Sequence, residues 1–217
     1  MNVISKKNTI EYLSYEELHS IYHSLKKDIK ARLKEFESVP RTEYFYELSY
    51  CLLTPQSSAV NAGNAINELK RLNFQTRSIN PEPVLNNKSY YIRFHKTKAI
   101  RLLEMRNKYS EIEELLIKRI NPVEKREWLV ENVKGLGWKE ASHFLRNTGH
   151  KNLAILDRHI LRNLVRCRAL QEIPKTLSTK EYLRIEKQFL DFAEKVSITM
   201  DELDLVFWCM ATGKILK

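Results

Sequence analysis

Glycine is scarce in this sequence, five residues in 217, so a pair standing one residue apart asks for a reason. Cysteine is scarcer still. Cys51, Cys167 and Cys209 are far apart and odd in number, which excludes a disulfide framework and the spacings of zinc or iron–sulfur sites and leaves each as a small core residue. No stretch approaches the roughly 18 consecutive apolar residues of a membrane span. The opening "MNVISKKNTIEYLSYEEL" lacks the apolar segment of a signal peptide, so a soluble, cytoplasmic protein is expected, nucleoid-associated if prokaryotic. No run alternates apolar and polar residues long enough to require a strand, and there is no internal repeat or low-complexity tract. Acidic charge is outnumbered: 37 lysines and arginines face 27 aspartates and glutamates, a net charge of +10 and a pI near 9.4. That balance points to a polyanionic partner, nucleic acid before a membrane surface.

What remains is helix. Ser14 with Glu17 forms a capping box, and Leu18, Ile21, Leu25, Ile29, Leu33 and Phe36 then recur at helical spacing. "TEYFYELSYCLL" reads as a more apolar helix ended by Pro55, and Ser57 or Ser58 can cap the next, which runs to about Leu72. Phe74 to Lys88, with Pro81 and Pro83, is the longest expected loop. Lys98–Lys108, Glu111–Ile120, Glu124–Val133, Glu140–Thr148 and Arg158–Arg168 read as short helices. Ser178 with Glu181 and Thr199 with Glu202 look like caps of the last two. The expected fold is all-α, two helical halves flanking a cleft.

The glycine pair sits in "VKGLGWKEASHFL". Between a helix ending near Val133 and one starting near Lys139, Gly135 and Gly137 suit a tight turn that needs positive φ or close approach. Such a hairpin aims the first amides of its second helix outward, where they can hold a phosphate oxygen. A G-x-G equally serves an ordinary helix connection. The context adds more: Trp138, Lys139 and Glu140 open the second helix, and 18 residues beyond Lys139 (157 − 139) comes Asp157 in "AILDRHI".

The whole stretch "VKGLGWKEASHFLRNTGHKNLAILDRHI" resembles the helix-hairpin-helix and Gly/Pro–Asp loop (HhH-GPD) of the DNA glycosylase superfamily that includes endonuclease III. Within it, "ELSYCLLTPQSS", "IRFHKTKA", "GLGWKEASHFLRN", "AILDRHI" and "LDLVFW…TGKILK" are most similar to the small 8-oxoguanine DNA glycosylases of the second, archaeal and bacterial, type. The likeness runs from about Glu43 to Lys217. Lys134 departs from the proline of many relatives, and the cysteine quartet of the iron–sulfur members is missing, which argues against an adenine or pyrimidine enzyme of that type.

The resemblance implies one helical subdomain from residues 1–57 with 150–217, and another from 58–149 carrying the hairpin at about 124–148. It implies a monomeric enzyme acting on damaged double-stranded DNA, not on a membrane, that removes 8-oxoguanine and then cleaves the strand as an abasic-site (AP) lyase. No cofactor is expected in catalysis.

By the same resemblance Lys139 is the amine nucleophile, and a helix N-terminus in a basic protein suits a lysine that must react uncharged. Asp157 would stabilise the cationic sugar, or only cap the helix from Arg158. Trp208 resembles the tryptophan that stacks on the extruded base, with a core aromatic as the plainer reading. Phe94 would contact the orphaned base and Gln56 would fill the gap, although each is as readily structural. Gly135, Gly137 and Trp138 would meet the DNA backbone, and the carbonyls of Glu131, Val133 and Leu136 would hold a monovalent or calcium-type structural cation.

Arg93, Lys96 and Lys98 read mainly as a solvated face with some phosphate contacts, and His95, His143 and His159 as structural or DNA-facing. Lys217, through its side chain or the terminal carboxylate, would read the N7–H that distinguishes 8-oxoguanine from guanine. Two alternatives stay open: a glycosylase/lyase for another oxidised or alkylated base, and a non-catalytic helix-hairpin-helix module that only holds DNA.

Overall fold

A computed structural model of the chain describes residues 11–215, and those residues contain helices and turns but no strand. Helix α1, Tyr15–Glu37, starts from the expected box: the Ser14 amide donates to Glu17 Oε2 at 2.8 Å and the Glu17 amide to Ser14 Oγ at 3.2 Å. After a single 3₁₀ turn at Arg41–Glu43 come α2, Tyr44–Leu53, and α3, Ala59–Arg71, the latter capped by Ser58. The expected loop contains one short helix, α4, Glu82–Leu85, which buries Val84 and Leu85. Pro83 is tolerated there because first-turn amides have no intrahelical acceptor. Then follow α5, His95–Asn107, α6, Tyr109–Ile117, α7, Pro122–Asn132, and α8, Trp138–Asn147. The chain continues with α9, Arg158–Arg166, α10, Thr179–Lys195, and α11, Met200–Thr212. No helix among the described residues is long and apolar enough to cross a membrane.

The described residues divide into two compact units, residues 32–155 and residues 11–31 with 156–215. This differs from the division expected at 57/58 and 149/150. In the 32–155 unit α2 is the central helix: α3, α5 and α8 all pack on it, so residues 32–57 belong with the hairpin. Its sequence fits that place, since eight of its ten residues are buried and a helix apolar on most sides needs neighbours all round. Phe45, fully buried, meets Phe74 at 5.9 Å and Tyr109 at 5.0 Å between ring centroids.

In the other unit α11 packs on α9 and α10, with Phe207 stacked on Phe189 at 6.0 Å. Thr199 and Glu202 form the expected capping box, and Glu202 also accepts from the Tyr22 hydroxyl at 2.9 Å. Burial alone would raise the Glu202 pKa, but hydrogen bonds from Thr199 and Tyr22 outweigh it and hold the carboxyl below its usual range.

Candidate functional site

The hairpin shows what its glycines do. Val133 and Leu136 are buried, and the Leu136 amide donates to the Val133 carbonyl at 3.1 Å, which closes the turn. Gly135 adopts φ +88°, a left-handed conformation, and a Cβ there would lie 2.5–2.8 Å from side-chain atoms of Arg101. Gly137 has an ordinary extended backbone, φ −87° and ψ 178°, so its reason is space: a Cβ would stand 2.9 Å from Glu140 Oε2. In the free protein, then, one glycine makes room for an arginine of α5 and the other for a carboxylate of α8. The N-cap of α8 is Gly137, which has no side chain to cap with, and the positive end of the helix dipole there favours an anion. Trp138 is half-buried, with the Arg126 guanidinium 4.8 Å from its ring.

Lys139, second residue of α8, has a side chain 34% exposed, and its Nζ lies 3.1 Å from Glu140 Oε1. Glu140 was not singled out in the sequence. Its two oxygens bracket the space over Gly137 and the ammonium of Lys139. The sequence signal was there in principle, a carboxylate next to the lysine and three residues past a glycine.

A second correction concerns Lys98. Expected on a solvated face, it is buried to 2% exposure, while Arg93 and Lys96 are exposed as predicted. Its Nζ donates to the carbonyls of Leu53 at 2.7 Å and Pro55 at 2.6 Å and to Ser57 Oγ at 3.2 Å. Burial pushes its pKa down to about 8, the Arg101 charge pushes the same way, and Glu140 acts against both. Arg101, three residues further along α5, reaches Gly135 of the hairpin, while the Lys98 ammonium is held at the end of α2.

Gln56 and Phe94 lie in the same unit. Both are exposed, Phe94 to 50%, and both take positive φ, 56° and 59°. Arg93 covers the Phe94 ring at 4.9 Å. Their two loops are tied together, since Ser57 Oγ accepts from the Arg93 amide at 3.1 Å and Asn61 donates to the Tyr91 carbonyl at 3.1 Å.

The other unit carries Asp157 and Trp208. Asp157 is the N-cap of α9, its Oδ1 accepting from the His159 amide at 2.7 Å and the Ile160 amide at 2.8 Å. The capping role is thus real, and Oδ2 makes no hydrogen bond among the described residues. Trp208 follows eight buried residues of α11 and is itself half-buried, its ring edge-on to His159 at 5.5 Å. Its Nε1 is buried without a hydrogen-bond partner among the described residues. Beside it, His159, Arg162, Asn163 and Arg166 line an open depression with Met210 and Ala211. Lys217 lies outside the described residues. Among the described residues no cluster of histidine, cysteine, aspartate and glutamate could hold a metal ion.

Several known proteins are similar to this chain in sequence and structure. The family model Ogg-HhH, 8-oxoguanine DNA glycosylase, matches residues 29–198. The chain is 43% identical to an 8-oxoguanine DNA glycosylase/AP lyase of Fusobacterium nucleatum, over 98% of this chain and 100% of that protein. It is 38% identical to one of Methanocaldococcus jannaschii, over 89% and 93%. Among solved structures, the Methanocaldococcus jannaschii 8-oxoguanine glycosylase/lyase in complex with DNA containing 8-oxoguanine superposes with a TM-score of 0.83 at 35% identity, over 94% of this chain and 99% of that one. The 8-oxoguanine DNA glycosylase of Thermotoga maritima gives 0.82 at 34%, over 94% and 98%.

Proposed function

Because this chain belongs to the helix-hairpin-helix 8-oxoguanine DNA glycosylase family, we propose that it excises 8-oxoguanine from duplex DNA with Lys139 as its nucleophile and cleaves the resulting strand. The observation that carries the assignment is the placement of Lys139 in the first turn of α8, whose N-cap is a glycine, directly after the glycine turn. Amides that hold a phosphate set the sugar of the neighbouring nucleotide against the amine.

The chemistry follows from these groups. Lys139 leaves its pairing with Glu140 and releases one proton to solvent, and its uncharged Nζ attacks C1′ as the N-glycosidic bond breaks. The base departs with the bonding pair and takes up a proton. Loss of the remaining amine proton with opening of the sugar ring leaves a Schiff base on Nζ. Removal of a C2′ proton then expels the 3′ phosphate, nicking the strand. Asp157 stabilises the cationic character at C1′ through the carboxylate whose Oδ2 the cap leaves unused.

Trp208 stacks on the extruded base, and its half-buried position at the end of a buried helix supports that role. Gln56 occupies the gap and Phe94 meets the orphaned base. Lys217 reads the damaged edge. The carbonyls of Glu131, Val133 and Leu136, at the end of α7 and in its turn, would hold a structural monovalent or calcium-type cation; the Val133 carbonyl, which accepts from the Leu136 amide, has a second lone pair for it. The enzyme works as a monomer and needs no catalytic cofactor.

Borohydride trapping on duplex DNA containing 8-oxoguanine tests the assignment. Wild type should form a covalent adduct, and Lys139→Gln should form none while still binding the same DNA. An adduct in the variant would make another amine the nucleophile. Absence of an adduct in wild type would leave only a DNA-holding module.

A further inference from the structure

Six non-glycine residues among those described have positive φ. Three of them, Asn73, Arg168 and Ser197, directly follow helix C-caps, where the left-handed conformation is the usual way to end a helix. A fourth is Asn152, a residue type that tolerates it. Gln56 and Phe94 have neither excuse. Phe94 is the N-cap of α5, a position that ordinarily takes an extended backbone. Such conformations persist only where the surroundings over-determine them, and they gather at ligand clamps.

Lys98 is what over-determines these two. Its ammonium sits at the end of α2, where the carbonyls of Leu53 and Pro55 are aimed at it from both sides of Thr54. A helix C-terminus favours a cation there. The third acceptor, Ser57 Oγ, is shared with the Arg93 amide, next to Phe94. One buried charge therefore holds the chain on both sides of Gln56 and, through a single hydroxyl, the residue before Phe94. A lysine so buried is costly to fold around, and an apolar residue of similar volume would fill the site without ordering either loop.

We propose that Lys98 is a positioning residue for DNA opening, whose buried ammonium locks the Gln56 and Phe94 loops into one rigid pair set to occupy the gap and receive the orphaned base. The proposal rests on the reading of Gln56 and Phe94 given above. It makes a flexible two-loop contact into a preformed one, so the ordering of both loops is completed in the fold and not on the DNA.

Lys98→Met removes the ammonium at similar volume, and Ser57→Ala removes only the shared hydroxyl, which keeps the test available should the first variant not fold. Single-turnover rates are measured on duplex DNA with 8-oxoguanine opposite each of the four bases and on single-stranded DNA with a preformed abasic site, which has neither gap nor orphaned base. Duplex excision should fall at least tenfold more than single-strand cleavage, and the spread of rates over the opposite bases should shrink. Gln56→Ala and Phe94→Ala, each harmful in wild type, should add little in the Lys98→Met background. Equal losses on both substrates, an unchanged spread, or additive effects of the loop variants would overturn the proposal. Failure of the Lys139 assignment shows separately, as a wild type that forms no borohydride adduct.

Discussion

Asp157 caps α9 and, in the proposed mechanism, also stabilises the sugar cation, and its neighbours allow the two roles to be separated. Oδ1 caps α9, and asparagine caps a helix about as well as aspartate. Asp157→Asn should therefore keep the fold while slowing base release by orders of magnitude in single-turnover assays. Asp157→Ala should show the same chemical loss and unfold about 1 kcal/mol more easily. Wild-type excision in the asparagine variant would leave Asp157 as a cap alone. Trp208 offers a second residue-scale test. Stacking on an extruded base is worth about 1–3 kcal/mol, so Trp208→Ala should hurt 8-oxoguanine excision more than cleavage of a preformed abasic site. Trp208→Phe should retain much of the stacking, and because the indole Nε1 has no partner among the described residues it forfeits no hydrogen bond.

The hairpin is the element whose two glycines answer to different physics. At Gly135 both the backbone and the space forbid a side chain. Gly135→Ala should cost about 1–2 kcal/mol for the left-handed conformation and more for the contact with Arg101, measured by urea unfolding. Adding Arg101→Ala should return only the second part, which a double-mutant cycle isolates. At Gly137 the backbone is permissive and the obstacle is the end of a flexible glutamate. Gly137→Ala should therefore destabilise less than Gly135→Ala. The glycine pair was visible in the sequence as a turn. That its clearances are filled by Arg101 and Glu140 was not, because neither partner is fixed by the local pattern.

For the molecule as a whole, a net charge of +10 predicts steep salt dependence of binding to undamaged duplex, since each neutralised phosphate releases counterions. Arg93 and Lys96 are exposed where phosphate can reach them, whereas Lys98 is buried. Lys96→Gln should reduce the slope of log affinity against log salt by about one for a phosphate contact, read by fluorescence anisotropy. A flat response in wild type between low and physiological salt would remove the basic face from DNA binding.

By itself the sequence determined what depends on near neighbours. The capping serines and threonines, Ser14, Ser58, Ser178 and Thr199, act on amides three residues ahead, and the Asp157 cap reaches only two and three. Such contacts form whenever the local helix forms, so their pattern is legible along the chain. Only the tertiary structure decided the state of the charges. Lys98 and Lys96 look alike in "HKTKA", yet one is exposed and the other meets acceptors 41, 43 and 45 residues away. The grouping of α2 with the hairpin was equally hidden, for it follows from α3, α5 and α8 choosing the same helix to cover. Burial is a property of what else arrives at a place, and no single stretch of sequence contains that.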